Sequence, residues 1–282
     1  MRWPPPPDWP MADASRQVNV APHRWHVQEE GTGPLILLLH GAGGATQSWR
    51  GVFPLLSKDF RVVAVDLPGQ GFTRTTRRGR HGVAEMAADL NALCRQEGWV
   101  PDLIVGHSAG VPVALQMTLD GLHPARGVIG LNAALATFEG AAGLFFPLMA
   151  KAMAAVPLTA RIFAATTTPS RVRQLLAGTG SRIDARGQAL YARLASDPDH
   201  VDGTLRMMAQ WDLQGLSRRL PAVPVPVLLL TGEDDTAVPP DTSADAARRI
   251  PHATHRSLGP LGHLAHEEAP DLIAGIIADH MA

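Results

Sequence analysis

The sequence predicts an α/β fold: a mostly parallel β-sheet flanked by helices, with a helical cap inserted late in the sheet. Three observations carry this. Short apolar runs at residues 35–39, 61–65, 103–105 and 128–131 read as strands covered on both faces. Helical stretches at 49–56, 83–97 and 109–119 separate them, and strand, helix, strand at this spacing gives parallel crossovers. The rhythm stops near Ala133 and resumes only at 225–230, 241–249, 257–258 and 270–280, so the mostly helical stretch between interrupts one continuous sheet.

Three units follow in chain order. Residues 1–16 form an extended arm, because Pro4 to Pro7 and Pro10 exclude a regular helix or a central strand, and Trp3 and Trp9 could anchor it to the surface. Residues 17–133 and 221–282 form the α/β core, opened by two antiparallel strands at 17–20 and 24–28. Residues 134–220 form the cap.

Composition narrows the function classes. With 282 residues, 25 basic and 26 acidic, the chain carries a formal charge of −1, which gives no electrostatic reason to bind nucleic acid and favours a small-molecule partner. Cys94 is the single cysteine and sits within the helix at 83–97, so no internal disulfide can form and a reducing compartment is expected. No run approaches the ~20 apolar residues a membrane span needs, and the start lacks a signal peptide's apolar core. The expected location is cytoplasmic; peripheral contact with a membrane would need only a local patch.

The chemistry concentrates in four loops at strand ends. Gly106-His107-Ser108-Ala109-Gly110 follows one strand and opens a helix, the strand-turn-helix context of a nucleophile elbow that leaves Ser108 projecting into a pocket. Pro112 falls in the helix's first turn, where its missing N–H costs nothing. A serine hydroxyl needs a base, and that base needs an orienting carboxylate. Asp235 follows the strand at 225–230, with Glu233 and Asp234 as competitors. His263 lies after the last strand, with His266 as its rival. The order serine, acid, histidine is the one such folds use. His40-Gly41-Ala42-Gly43-Gly44 ends the strand at 35–39, so the N–H groups of Ala42 and Ala109 are the expected oxyanion donors. This glycine turn completes no nucleotide-binding pattern. The remaining histidines, including His40, His81, His107, His123, His200 and His255, show no metal-ligand spacing, and neither a metal nor a cofactor is expected.

Around these loops the reading is broader. Asp66-Leu67-Pro68-Gly69-Gln70-Gly71-Phe72 is a structural turn, and Arg74, Arg77, Arg78 and Arg80 read as a solvated loop. In the cap, Phe138, Leu144, Phe145, Phe146, Leu148, Met149, Met153 and Phe163 form one apolar cluster, and Met207, Met208 and Trp211 another. Most should be cap core; Phe145, Met149, Met208 and Trp211 are the candidates for the roof of a pocket over Ser108, and Asn132 for a polar contact at its floor.

Taken together, the His40-Gly41 turn, the loop from Asp66 to Gly71, the elbow, the acid loop and Gly262-His263 resemble capped α/β-hydrolases across nearly the whole chain. Further segments are similar to one branch, the magnesium-chelatase accessory proteins of bacteriochlorophyll biosynthesis (BchO type): Asp8-Trp9-Pro10, Trp25-His26-Val27-Gln28, Ser48-Trp49-Arg50, Gly178-Thr179-Gly180-Ser181, Met207-Met208-Ala209-Gln210-Trp211-Asp212-Leu213 and Gly262-His263-Leu264-Ala265-His266-Glu267-Glu268. The resemblance implies a serine hydrolase linked to tetrapyrrole metabolism, with a tetrapyrrole-like or other apolar substrate and an association with magnesium chelatase or pigment-synthesis enzymes. The alternative it implies is a noncatalytic accessory or tetrapyrrole-binding protein on the same fold. Two residues depart from the pattern: Ala42 stands where threonine is common, and Gln70 where histidine is common. Neither belongs to the triad.

Overall fold

The computed structural model describes residues 1–136 and 158–282. Its sheet has nine strands among the described residues: β1 (Ser15–Val20), β2 (His23–Glu30), β3 (Leu35–Leu39), β4 (Arg61–Val65), β5 (Arg74–Thr75), β6 (Leu103–His107), β7 (Gly127–Leu131), β8 (Val227–Thr231) and β9 (Ala253–Ser257). The spatial order is β1-β2-β4-β3-β6-β7-β8-β9, with β5 paired to β2. From β4 to β9 every pairing is parallel, while β2 pairs antiparallel with β1, β4 and β5.

The strands form here because their side chains alternate between two apolar layers. Leu35, Leu37 and Leu39 of β3 face one cluster, shared with helices α2 (Val83–Glu97) and α3 (Gly110–Leu119). Ile36 and Leu38 face the other, made with α1 (Phe53–Leu56) and the C-terminal α11 (Pro270–Met281). Removing a large side chain from either layer would cost about 2–5 kcal/mol. Helix α2 ends where Gly98 takes a left-handed conformation at φ 66°. The strand expected at 257–258 lies earlier, at Ala253–Ser257, with only its end in the predicted place; its outer residues are exposed, so no apolar run marks it.

Between β7 and β8 the described chain is helical: α4 (Thr159–Thr166), α5 (Pro169–Ala177), α6 (Ala185–Ala195), α7 (Pro198–Ala209) and α8 (Gln214–Arg219). Thr168, Asp184 and Asp197 cap the N-termini of α5, α6 and α7 with side-chain oxygens. Helix α9 (Asp241–Arg249) and the short α10 (Ala265–Glu268) complete the core.

The proline arm docks. Trp9 is buried with Phe72 and Ala45 of the core and Leu190 and Leu194 of α6, its ring edge-on to Phe72 at 5.0 Å. Pro10 accepts a 2.7 Å hydrogen bond from the Gln28 side chain, and the Met1 ammonium sits 2.9 Å from Asp197, at the start of α7. Trp3 is the weaker anchor, exposed but 5.7 Å from the His26 ring. The basic loop is only partly solvated, which corrects the expectation for two of its residues: Arg80 pairs with Asp89, and Arg74 bonds the Met1 carbonyl and pairs with Asp199 at 3.0 Å. Arg77 and Arg78 remain exposed.

Candidate active site

The parallel strands end on one edge, and the candidate residues converge there. Ser108 lies between β6 and α3 at φ 49°, a left-handed conformation that costs a non-glycine residue about 1–3 kcal/mol and must be held by its surroundings. Glycines do the holding. A Cβ on Gly106 would come within 2.8 Å of the Gly110 backbone, and one on Gly110 would collide with the Leu39 carbonyl oxygen. A Cβ on Gly41 would lie 2.9 Å from the Ser108 Cβ. Only with these three side chains absent can the elbow, α3 and the turn after β3 approach so closely. Ser108 is further fixed by its N–H, which donates to the Leu131 carbonyl at 2.8 Å.

Asp235 is buried, and each of its oxygens is held. Oδ1 accepts the N–H groups of Ala237 and Val238 at 2.8 and 2.9 Å; Oδ2 accepts the Asn132 amide at 2.7 Å and His263 Nδ1 at 2.8 Å. Its competitors Glu233 and Asp234 are exposed, and Glu233 is occupied with the Ser257 hydroxyl. The carboxylate of Asp235 can only accept from Nδ1–H, so in the neutral ring Nε2 is the free acceptor, the tautomer a base requires. His263 and Ser108 line the same cavity.

His266 does not line that cavity. It is buried between Trp49 and His107, ring centroids 4.7 and 4.4 Å away, and burial lowers its pKa to about 3. Neither ring nitrogen finds a partner among the described residues. A base so weak and so enclosed suits the chemistry poorly.

The candidate oxyanion turn, Gly41 to Gly44, is braced by a neutral histidine. His40 Nε2 accepts the Leu67 N–H at 2.9 Å, so Nδ1 carries the proton and donates to the Gly41 carbonyl at 2.7 Å; the Gly44 N–H adds 3.1 Å to the same oxygen. Burial lowers the His40 pKa, in keeping with the neutral form. Fixing the Gly41 carbonyl fixes the opposite end of that planar peptide, the Ala42 N–H. Ala42 lines the cavity, and Ala109 sits at the start of α3 beside Ser108. Neither amide has a protein acceptor among the described residues.

The cavity measures about 470 Å³, and its described walls are mostly apolar. Phe163, Val172, Leu175, Leu176, Val201 and Met208 reach it from the helices between β7 and β8. Two candidates stand elsewhere. Trp211 packs against the core cluster beneath the cap, because the chain turns down toward the sheet after α7. Asn132 is buried and does not line the cavity; its backbone is left-handed at φ 48° and its amide donates to Asp235, so the expected contact at the cavity floor is corrected to a bond with that carboxylate. Phe145 and Met149, with Phe138, Leu144, Phe146, Leu148 and Met153, lie outside the described residues. Among the described residues, no three His, Cys, Asp or Glu side chains converge as metal ligands.

Several supporting residues escaped the sequence reading. Gln70, noted only as a departure from the family pattern, is fully buried and accepts the Gly43 N–H at 2.8 Å, so it braces the turn from Gly41 to Gly44. His200, on α7, accepts the Gly71 N–H through Nδ1 at 3.0 Å and donates from Nε2 to the Gly43 carbonyl at 3.2 Å. Gly178 to Ser181, noted only as a family-like segment, forms a bracket between cap and core. The Thr179 carbonyl accepts the His263 N–H at 3.2 Å, Ser181 Oγ accepts the Leu264 N–H at 2.8 Å, and Thr236 donates its hydroxyl to the Gly178 carbonyl at 2.8 Å. Gly180, at φ 78°, packs where a Cβ would strike the Asp234 carbonyl. Tyr191 of α6 adds a bond to Glu267 at 2.8 Å; burial raises that carboxyl to about 7, partly offset by Tyr191 and Arg50.

The family model for the α/β hydrolase fold matches residues 34–270, most of the chain and all four site loops. This chain belongs to the α/β-hydrolase fold family. Within the family it is 47% identical to the "Magnesium-chelatase 30 kDa subunit" of Rhodobacter capsulatus, covering 97% of this chain and 96% of that one. It is 30% identical to a pimeloyl-[acyl-carrier protein] methyl ester esterase of Vibrio atlanticus, over 81% of this chain and 86% of the relative. The same hydrolase fold appears in an esterase from Thermogutta terrifontis, with a TM-score of 0.74 at 22% identity over 95% of this chain and 97% of that structure. An esterase from Exiguobacterium antarcticum gives 0.75 at 17% identity, over 92% and 96%.

Proposed function

We propose that this protein is a serine hydrolase acting on an ester or related acyl substrate with an apolar acyl or alcohol group, in bacteriochlorophyll or tetrapyrrole metabolism. The observation that carries the reading is the buried Asp235, 2.8 Å from His263 Nδ1, behind a histidine that lines one cavity with a strained serine. Ser108 Oγ attacks the carbonyl carbon while His263 Nε2 takes the hydroxyl proton. The tetrahedral oxyanion accepts from the N–H groups of Ala42 and Ala109, each worth on the order of 3 kcal/mol. Collapse expels the alcohol, which takes the proton from His263. Water, deprotonated by the same nitrogen, then attacks the acyl carbon; the bond to Ser108 Oγ breaks, the carboxylic acid leaves, and His263 returns the proton to Oγ. The apolar walls favour an uncharged substrate group, since burying an unpaired charge there would be costly.

Chromogenic esters of increasing acyl length test this. Turnover that rises with chain length and is lost in Ser108→Ala supports the reading; equal rates in both proteins contradict it. A second reading has its own support, the name of the Rhodobacter capsulatus relative. In it, the cavity binds a tetrapyrrole and the protein acts as a noncatalytic accessory of magnesium chelatase. Tight porphyrin binding unaffected by Ser108→Ala, without turnover of any ester, would favour it.

A further inference from the structure

We propose that the outer face of α4 and α5 docks onto an anionic lipid surface, and that apolar substrate enters the Ser108 cavity from that side. The entry route rests on the hydrolase reading; the docking does not.

Helix α4 turns Ala160 and Ala164 inward onto Val201 and Leu205 of α7, and so turns Leu158, Ile162 and Phe163 outward, 55%, 54% and 39% exposed. On α5, Val172 points in and Leu175 out, 61% exposed. With Met208 on α7, these make five of the eight large apolar side chains exposed among the described residues. Scattered exposed apolar residues need no explanation, but a cluster that holds most of them marks a contact surface. A groove of about 470 Å³ between α4 and α5 deepens the patch, with Arg171 and Gln174 on its wall. Phe163 and Leu175 line both this groove and the Ser108 cavity, so the outer patch and the cavity wall are one continuous apolar surface.

Charge selects the occupant. Residues 158–183 contain Arg161, Arg171, Arg173 and Arg182 and no Asp or Glu, in a chain whose net charge is −1. All four arginines are exposed. A second copy docked face to face would set arginine against arginine, a costly like-charge contact. A bilayer surface supplies what both halves of the patch require: head-group phosphates for the guanidinium forks, and acyl chains for the leucine, isoleucine and phenylalanine.

Co-sedimentation with vesicles tests the proposal, using phosphatidylcholine alone and phosphatidylcholine with roughly one-third phosphatidylglycerol. The protein should partition at least about tenfold better into the anionic vesicles, and salt should weaken the preference. Arg161→Gln with Arg173→Gln should lower partitioning roughly 25-fold, at about fivefold per cation. Leu158→Ser with Ile162→Ser should lower it at least about tenfold. None of these four residues lines the cavity, so turnover of a water-soluble ester should be unchanged, which also reports folding. Val100→Ser, at the opposite edge of the sheet, should partition like the parent, and so should Ser108→Ala. Equal partitioning into both vesicle types, or no loss in the Leu158/Ile162 variant, would overturn the proposal. So would a lipid-free dimer that the same substitutions abolish.

Discussion

The sheet edge and the cap build the same cavity by different physics. At the sheet edge, backbone crowding sets the geometry: Gly41, Gly106 and Gly110 admit no side chain, and Ser108 is held at a positive φ by the packing around it. In the cap, apolar side chains give the cavity its shape, while polar groups tie it down at chosen points such as Thr179, Ser181 and His200. The difference teaches where chemistry and selectivity are separable. Changes at the sheet edge should strike the reaction itself, and changes in the cap wall should alter which substrate is accepted.

The sharpest contrast is expected at the acid. Asp235→Asn should lower kcat about 10⁴-fold, because it leaves His263 in the wrong tautomer while preserving its shape. Single-turnover kinetics would check this. Asn132→Ala should follow, with kcat reduced about 10- to 100-fold and KM little changed, since it removes a hydrogen bond to a charged carboxylate. An effect on KM alone would return Asn132 to the substrate.

On the cap side, Ser181→Ala leaves the Leu264 N–H without an acceptor next to the base and should cost about 1–3 kcal/mol, read as a lower denaturation midpoint. If the midpoint does not move, the bracket does not hold the base loop.

Protonation supplies a further test. His266 and His200 are fully buried, with pKa values lowered by burial from 6.5 to about 3 and about 4. Between those values and 6.5 the unfolded chain binds more protons, so their contribution to stability is present above pH 6.5 and lost as the pH falls. Each contributes up to about 1.4 kcal/mol per pH unit. Glu267 acts oppositely: raised from 4.5 to about 7, it contributes most at low pH, and that contribution is lost as pH rises through 7. Denaturant titrations from pH 7 to 5 should show falling stability, and His266→Leu should flatten the slope.

The smallest effect belongs to the wall. Met208→Ala should reduce kcat/KM about tenfold for long-chain esters and leave acetyl esters nearly unchanged.

How much of this was legible in the sequence depended on distance along the chain. Strands β3 and β4 match their predicted bounds because every position but Arg61 is apolar and buried, and the elbow motif is contained within five residues. The loops of Asp235 and His263 follow β8 and β9, so their place at the sheet edge was readable from chain order. Asn132 was misread because its partner Asp235 lies far away in sequence, so no local pattern marks it. The contacts of Gln70 and His200 were missed for the same reason: one accepts the Gly43 N–H and the other donates to the Gly43 carbonyl, each from far along the chain. Trp211 shows the reverse failure, an apolar residue near cavity residues in sequence that the chain carries down to the core instead.

One measurement tests the central claim most directly: labelling of the purified protein by a fluorophosphonate probe, in the parent and in Ser108→Ala, with matched denaturation midpoints. The account predicts a stoichiometric adduct on Ser108 in the parent, slowed strongly by Asp235→Asn, and none in Ser108→Ala. An unlabelled parent whose cavity still admits a probe-sized ligand, or a label that persists in Ser108→Ala, would contradict it.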